Sequence, residues 1–267
     1  MARSFTDQVI IVTGASSGIG RALCLELARE RPRLVLAARS QERLAEVARE
    51  CERLGASCHI VRTDVNERDD CRRLVSETIA KWGQLDVLVA NAGRAMWSRF
   101  DEIDDLAVIE EVMRTNYLGS VYCTNYALPH LKKSGGLIVA MSSVSGLSGV
   151  PMLSGYAASK HAVLGFFESL RIELDGTGVG ITIAAPDFVR SEILVRALDG
   201  HGRAMETSPL DESKFLTAEK CARRIVRAMH RRERLVLMTA RSRNLRWGKL
   251  LVPRFVDRMV AGSVRGS

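Results

Sequence analysis

Short apolar runs alternate with longer amphipathic stretches along most of the chain. Seven runs predict buried strands: Val9–Thr13, Leu34–Ala38, Cys58–Arg62, Val87–Ala90, Leu137–Ser142, Ile181–Ala185 and Leu235–Met238. Between them, helices are predicted at Ile19–Arg31, Gln41–Leu54, Arg68–Trp82, Ala107–Leu131, Tyr156–Leu174 and Ala218–Arg231. Continuously apolar strands that alternate with helices predict a parallel sheet covered on both faces, which is a Rossmann-like, doubly wound α/β fold of about seven strands.

One segment breaks this rhythm. Residues 191–216 contain Gly200, Gly202 and Pro209 and predict an insertion or a lid, so we place a substrate loop at about 187–216. No repeat or linker divides the rest of the chain. The sequence therefore predicts one catalytic domain over residues 1–240, followed by a tail over residues 241–267.

The composition is that of an ordinary globular protein, with 46% hydrophobic and 26% charged residues, and it argues against disorder. The six cysteines are scattered and form no C-x-x-C or Cys/His ligand pattern, which favours reduced thiols over a metal site or a disulfide framework. The first residues have no signal-peptide core, and no run approaches the roughly 18 apolar residues of a spanning helix. We expect a cytoplasmic protein.

The net charge of +8 lies mainly in the tail, which carries +6, against +2 for residues 1–240. This distribution does not indicate a nucleic-acid-binding protein. Apolar residues occur among the basic ones in the tail, and Pro253 could begin a final short helix. Two interpretations stay open: the apolar face covers the substrate pocket or a subunit interface, or the tail makes weak contact with an anionic membrane surface. We favour packing.

A glycine-rich turn, Thr13-Gly14-Ala15-Ser16-Ser17-Gly18-Ile19-Gly20, joins the first predicted strand to the first helix. Glycines allow close backbone approach, and the start of a helix offers free N–H groups and a favourable partial charge to a phosphate. The spacing differs from G-x-G-x-x-G, and a turn without a ligand is the alternative.

Further motifs follow in order: Asn91-Ala92-Gly93 after the fourth strand, Asn116 in a helix, Ser143, and Tyr156-Ala157-Ala158-Ser159-Lys160. With the glycine-rich turn, this ordered set resembles the short-chain dehydrogenase/reductase family over roughly residues 8–240. The resemblance implies a nicotinamide cofactor, and a set of residues that bind it: Gly14, Ser16, Ser17, Gly18, Ile19, Gly20, Asp64, Val65, Asn91, Ala92, Gly93, Tyr156, Lys160, Pro186, Val189 and Ser191.

The end of the second strand predicts which nicotinamide cofactor is used. A fold that uses NAD usually has an acidic residue here for the ribose 2′-hydroxyl, whereas an Arg accommodates a 2′-phosphate. This chain has Ala38 at that position, followed by Arg39 and Ser40. We therefore predict NADP(H), selected mainly by Arg39 with help from Ser40; a solvated Arg is the alternative. Asp64 either accepts a hydrogen bond from the adenine amino group, as the resemblance implies, or caps the following helix.

Tyr156 and Lys160 are four residues apart and share one face of a predicted helix. Reduction of a carbonyl needs a proton donor, and a nearby ammonium is expected to lower the pKa of Tyr156 towards the working pH. By resemblance, Ser143 orients the substrate oxygen, Lys160 also holds the cofactor ribose, and Asn116 positions a water in a proton relay. A chance Y-x-x-x-K, a turn serine and a buried or capping asparagine are the alternatives.

The predicted function is NADP(H)-dependent interconversion of a carbonyl and a secondary alcohol on an apolar small molecule that is steroid-, retinoid- or acyl-like. The alternatives are a 3-oxoacyl-thioester reductase and a non-catalytic NADP(H)-binding or peripheral membrane module. Family members are commonly homodimers or homotetramers, so the resemblance implies a homo-oligomer. One departure stands out: Asp187 occupies a position where the family usually has Gly, and its side chain could reshape the loop or line the substrate pocket.

Overall fold

The computed structural model describes residues 4–265 and has a central parallel sheet of seven strands. Its strands are β1 (Val9–Thr13), β2 (Arg33–Ala38), β3 (Ser57–Arg62), β4 (Val87–Ala90), β5 (Leu137–Met141), β6 (Gly180–Ala185) and β9 (Leu235–Leu237). They lie in the order β3-β2-β1-β4-β5-β6-β9, all parallel. The doubly wound, Rossmann-like α/β fold is thus confirmed. A separate pair, β7 (Val189–Arg190) and β8 (Leu216–Thr217), was not predicted.

Helices cover both faces of this sheet. They are α1 (Gly18–Ala28), α2 (Gln41–Arg53), α3 (Arg68–Trp82), α4 (Ala107–Met113), α5 (Gly119–Ser134), α6 (Ser154–Glu173), α7 (Ala218–Arg231), α8 (Ala240–Leu251) and α9 (Pro253–Arg265). One apolar core lies between the sheet and α1, α2 and α7, and a second lies between the sheet and α3, α5 and α6. Because inner strands such as β1 and β5 are buried on both faces, they carry apolar side chains at nearly every position.

The stretch predicted as one helix over Ala107–Leu131 is divided. Between α4 and α5, residues Arg114–Leu118 form a turn of π-helix that contains Asn116. A π turn inserts an extra residue into the helical path and rotates the side chains that follow, and such turns are frequent at functional sites. Apolar periodicity does not reveal a single widened turn, because the residues on either side keep their buried faces.

The tail forms two helices, of which only the second was predicted. Helix α9 begins at Pro253, as the sequence indicated, and α8 precedes it with Thr239 as its N-cap. None of the helices within residues 4–265 combines the length and the apolar character that a membrane span needs.

Candidate active site

A cleft of about 560 Å³ opens at the carboxyl ends of the strands, beside the point where the strand order reverses between β1 and β4. Ligands of open parallel sheets bind at this place. Every residue predicted for the site lines the cleft except Asn116.

 Asn116 lies next to this lining, where it is hydrogen-bonded to the backbone of Arg94, one of the lining residues.

The glycine-rich turn shapes the nucleotide end of the cleft. A Cβ on Gly20 would lie 2.2 Å from the Gly14 carbonyl oxygen, and one on Gly14 would lie 2.9 Å from Ala92 Cα, so the turn packs against Asn91-Ala92-Gly93 as only glycine allows. Helix α1 starts at Gly18, its N-cap Ser17 makes no side-chain capping bond, and no acidic residue lies in its first turn. Its first N–H groups therefore suit an anion such as the cofactor pyrophosphate.

Asn91-Ala92-Gly93 is fixed by Thr13, a residue that the sequence interpretation did not single out. The Thr13 hydroxyl accepts hydrogen bonds from the backbone N–H groups of Asn91, at 2.9 Å, and Ala92, at 3.0 Å. The Asn91 side chain donates in turn to the Thr13 carbonyl oxygen at 2.8 Å. This reciprocal set joins the ends of β1 and β4 and holds the cleft floor in one shape.

Two arginines stand at the end of the cleft beside β2. Arg39 lines it as predicted, and Ser40 is the N-cap of α2, accepting a hydrogen bond from the Arg43 backbone N–H at 3.4 Å. Arg43 also lines the cleft and reaches across to Glu192, with 2.9 Å between Nη1 and Oε2. Arg43 lies in the first turn of α2, directly after the segment Arg39–Ser40, and this nearness in sequence was the available signal for finding it.

Asp64 lines the cleft, but it does not cap α3, so that alternative was wrong. The N-cap of α3 is Glu67, because Val65, Asn66 and Glu67 form a turn before the helix starts at Arg68. The Asp64 carboxylate accepts a hydrogen bond from the Asn66 backbone N–H at 3.0 Å within this turn.

Ser143, Tyr156 and Lys160 meet at the other end of the nucleotide site. The Ser143 hydroxyl donates to the Pro186 carbonyl oxygen at 3.4 Å, and it acts on the pKa of the Tyr156 hydroxyl. Lys160 is only 3% exposed, donates to the Met141 carbonyl oxygen at 2.8 Å, and places its ammonium 5.6 Å from the centroid of the Tyr156 ring. The structure thus brings the hydroxyl pair and the buried cation into one pocket wall.

The expectation that Lys160 lowers the pKa of Tyr156 was wrong for this arrangement. Burial raises the pKa of Tyr156 to about 12, and the hydrogen bond from Ser143 offsets only part of that effect. The Lys160 ammonium lies over the Tyr156 ring, and burial lowers the pKa of Lys160 to about 8. Tyr156 is therefore held as a protonated phenol, the form that a proton donor needs.

Asn116 is locked in place by the π turn and by its side-chain contacts. Its Oδ1 accepts from the Arg94 backbone N–H at 2.7 Å, and its Nδ2 donates to the Arg94 carbonyl oxygen at 2.9 Å and to the Ser159 hydroxyl at 2.8 Å. A Cβ on Gly93 would lie 3.0 Å from Asn116 Oδ1 and 3.5 Å from Lys160 Nζ. The side chains of Asn116 and Lys160 therefore both approach Gly93. Neither periodicity nor spacing predicted that Asn116 would bond to Ser159.

The substrate end of the cleft is apolar. Its lining includes Val150, Leu153, Phe188, Ile193 and Leu194, and it opens beside Tyr156. The segment 191–216 packs over this end, where the Trp97 backbone N–H donates to the Leu198 carbonyl oxygen at 2.7 Å. Pro186 and Val189 line the cleft at the start of this segment, and Ser191 lies against Gly18, 3.3 Å from the position that a Cβ there would take.

The tail contributes to the same cleft. Ser242 and Leu245 of α8 and Val260 of α9 are among the lining residues, and Val256 is buried beneath them. The outer side of the tail carries large exposed apolar residues: Trp247, Leu250, Leu251, Val252, Phe255 and Met259. The tail thus covers the pocket, as the packing interpretation expected, and also presents a second apolar face outwards.

Comparison with known proteins decides the family. A family model described as short chain dehydrogenase matches residues 8–201. The chain belongs to the short-chain dehydrogenase/reductase family. It is therefore an oxidoreductase acting on CH–OH groups, as the ordered motifs predicted.

Relatives of this family member include hydroxysteroid dehydrogenases of plants. A protein of Sesamum indicum named 11-beta-hydroxysteroid dehydrogenase A is 40% identical over 259 residues, covering 94% of this chain and 73% of its own length. The 11-beta-hydroxysteroid dehydrogenase 1A of Arabidopsis thaliana is 40% identical over 257 residues, with the same coverage.

Solved structures of the family show the same fold. A short-chain dehydrogenase/reductase from Burkholderia phymatum in complex with NAD superimposes with a TM-score of 0.82 at 26% identity, covering 94% of this chain and 96% of its own. An alcohol dehydrogenase from Thermococcus sibiricus, complexed with 5-hydroxy-NADP, gives a TM-score of 0.73 at 26% identity, covering 86% and 95%. A nicotinamide cofactor is thus supported, and the glycine cradle and open helix end of this chain fit one.

Proposed function

We propose that this protein is an NADP(H)-dependent hydroxysteroid-type dehydrogenase, which interconverts a carbonyl and a secondary alcohol on a large apolar substrate. The observation that carries the proposal is a single cleft with arginines at one end, an apolar wall at the other, and Tyr156 between them. The plant relatives named as hydroxysteroid dehydrogenases support the substrate class.

Each side chain has a definite task in carbonyl reduction. NADPH, when bound, supplies the hydride. The Ser143 and Tyr156 hydroxyls hydrogen-bond the substrate oxygen, and Tyr156 donates its proton as negative charge develops there. Lys160 would hold the cofactor ribose, and its ammonium lies over the face of the Tyr156 ring.

Asn116 completes the site by ordering the proton path. Its Nδ2 donates to two partners and its Oδ1 accepts from one, which leaves Oδ1 a second acceptor position for a water. A water held there returns a proton to Tyr156 after each turnover.

The activity is tested by following NADPH absorbance with a panel of steroid ketones, smaller apolar ketones and 3-oxoacyl thioesters. We expect turnover of the steroid ketones, and Tyr156→Phe to lower kcat about 100-fold or more while NADPH still binds, because general acid catalysis contributes at least that much. Preferential reduction of the thioesters would instead favour a 3-oxoacyl-thioester reductase. Near-wild-type turnover by Tyr156→Phe would contradict the assigned role.

Cofactor choice is a separate proposal, which depends on Arg39 with support from Arg43. We expect Arg39→Ala to weaken NADPH binding about tenfold or more and NADH binding little, since a hydrogen bond to a charged group contributes about 1.5–3 kcal/mol. Arg49→Ala, an exposed arginine further along α2, is the matched control and leaves both affinities unchanged. Equal losses of NADPH and NADH affinity in Arg39→Ala would contradict the assignment of Arg39 as the residue that selects NADP(H).

We also propose a homo-oligomer that works in the cytoplasm and touches membrane surfaces through its tail. An open apolar groove between the π turn at Arg114–Leu118 and α6, which includes Tyr117, Leu118 and Phe166, supports self-association. Light scattering on the purified protein measures its mass directly, and a monomer at micromolar concentration would contradict the oligomer.

A further inference from the structure

Asp187 links the loop after β6 to the first turn of α8. Its Oδ2 accepts hydrogen bonds from the Thr239 hydroxyl at 3.0 Å and from the Ser242 hydroxyl at 3.2 Å, while Oδ1 accepts from the Phe188 backbone N–H at 3.1 Å. Ser242 is 1% exposed, so this contact is shielded from water. Asp187 is therefore bonded through both oxygens, one towards its own loop and one towards the tail.

The electrostatics of α8 explain why a carboxylate suits this place. The N-terminus of a helix carries a positive partial charge, which acidic groups stabilise. Helix α8 has no acidic residue in its first turn, and the tail as a whole carries a charge of +6. Asp187 supplies the missing negative charge from a different element, next to the N-cap Thr239 and the third helical residue, Ser242.

The anchored segment forms a wall of the substrate end. Leu245 follows Ser242 by three residues, which places both on one side of α8, and both line the cleft. Helix α9 packs on α8 near Gly248, where Val256 approaches closely, and it adds Val260 to the lining. Phe188, which directly follows Asp187, lines the same end of the cleft.

We propose that Asp187 is a positioning residue that fixes α8 and α9 as a wall over the substrate end, and that this wall sets the affinity for large apolar substrates. The inference rests on the proposed function and deepens it. It also gives a physical meaning to the residue at which this chain departs from the usual family pattern. A glycine at position 187 would remove the carboxylate and leave the Thr239 and Ser242 hydroxyls with only each other, 2.6 Å apart, as partners on this side.

Two readouts test the wall: hydrogen exchange over residues 240–262, and KM for a bulky steroid ketone against KM for a small apolar ketone. In Asp187→Gly we expect exchange at least tenfold faster in α8 and α9. We expect KM for the bulky ketone to rise about tenfold, and KM for the small one to change much less. Asp187→Asn keeps the shape and removes the charge, so its effects should be intermediate.

A second variant avoids any change to the β6 loop. Thr239→Val/Ser242→Ala removes the two donors and should reproduce the effects of Asp187→Gly. Thr217→Val is the matched control, because it removes the N-cap of α7, away from the cleft lining, and should leave exchange of the tail and both KM values unchanged.

Unchanged exchange in Asp187→Gly and in the double variant would overturn the anchor. Faster exchange with an unchanged ratio of the two KM values would overturn the role in substrate affinity. If the wild type reduced no carbonyl, the proposed function would fail. Exchange and the binding of a steroid, followed by the fluorescence of Trp97, which packs with Leu153 and Phe188, would still test the wall independently.

Discussion

At the residue scale, burial shifts the two central titrating groups towards their neutral forms. It raises the pKa of Tyr156 to about 12 and lowers that of Lys160 to about 8. The tyrosine shift keeps the phenol protonated over the whole neutral range. The lysine shift means that the ammonium, which we propose holds the cofactor ribose, is lost at moderately alkaline pH.

A pH dependence of NADPH binding follows from the Lys160 shift. Below pH 8 the ammonium is retained, and as pH rises through about 8 the free enzyme loses it, so NADPH affinity should fall on the alkaline side. Measured by fluorescence titration between pH 6.5 and 9.5, Lys160→Met should bind more weakly and lack this alkaline decline. Lys132→Met, an exposed lysine outside the cleft lining, should keep it. An identical decline in Lys160→Met would assign the titration to another group.

Residue identities and order were enough to predict the cleft, but not the state of its groups. Arg39, Tyr156 and Lys160 were placed from motifs, and all three line the cleft. The direction of the Tyr156 shift was not predictable, because it depends on burial and on whether the ammonium faces the ring or the hydroxyl. A spacing of four residues gives the shared helix side but not that distance.

At the element scale, the uncapped N-terminus of α1 lowers the stability of the free protein but provides N–H groups that can bind an anion. An uncapped helix end leaves N–H groups without partners, which costs the unliganded protein but offers them to an anion. Elements were predicted correctly where the pattern of apolar residues alone determines them. Buried strands such as β1 and β5 were visible as apolar runs, whereas the π turn at Asn116, the β7–β8 pair and α8 depend on tertiary contacts.

Capping that helix end should therefore separate stability from binding. Ser17→Asp adds a carboxylate that can cap α1 and interact with its dipole, so unfolding of the free protein should become harder by about 1 kcal/mol. A thermal melt should show a rise of about 2–4 °C. The same charge should weaken NADPH binding at least tenfold, because it repels the pyrophosphate.

Glu67→Asp provides the matched comparison. Glu67 is the N-cap of α3 and also makes no side-chain capping bond, but it does not line the cleft. Its shorter carboxylate should stabilise the protein to a similar degree and leave NADPH affinity unchanged. Unaltered NADPH affinity in Ser17→Asp would mean that the start of α1 does not face the phosphates.

At the scale of the whole molecule, the charge and the exposed apolar surface coincide. The tail carries +6 of the net +8, and exposed Lys249, Arg254 and Arg258 lie among its outward apolar side chains. Leu251 is 78% exposed and Phe255 is 68% exposed. A basic, apolar surface of this kind suits an anionic lipid headgroup region, and its inner side is the wall over the apolar end of the cleft.

Membrane contact is best tested without deleting the tail, because deletion would also open the cleft. Leu251→Ser/Phe255→Ser changes only outward side chains, and we expect it to reduce cosedimentation with phosphatidylserine-containing vesicles at least tenfold. Each large apolar side chain contributes about 1.5–3 kcal/mol when fully buried.

Ile172→Ser removes an equally exposed apolar residue from α6 and should bind vesicles like the wild type. Binding of the wild type should weaken with salt and on neutral vesicles, since part of the attraction is electrostatic. Equal sedimentation of all three proteins, or none with the wild type, would reject the membrane contact and leave the outward face of the tail to self-association.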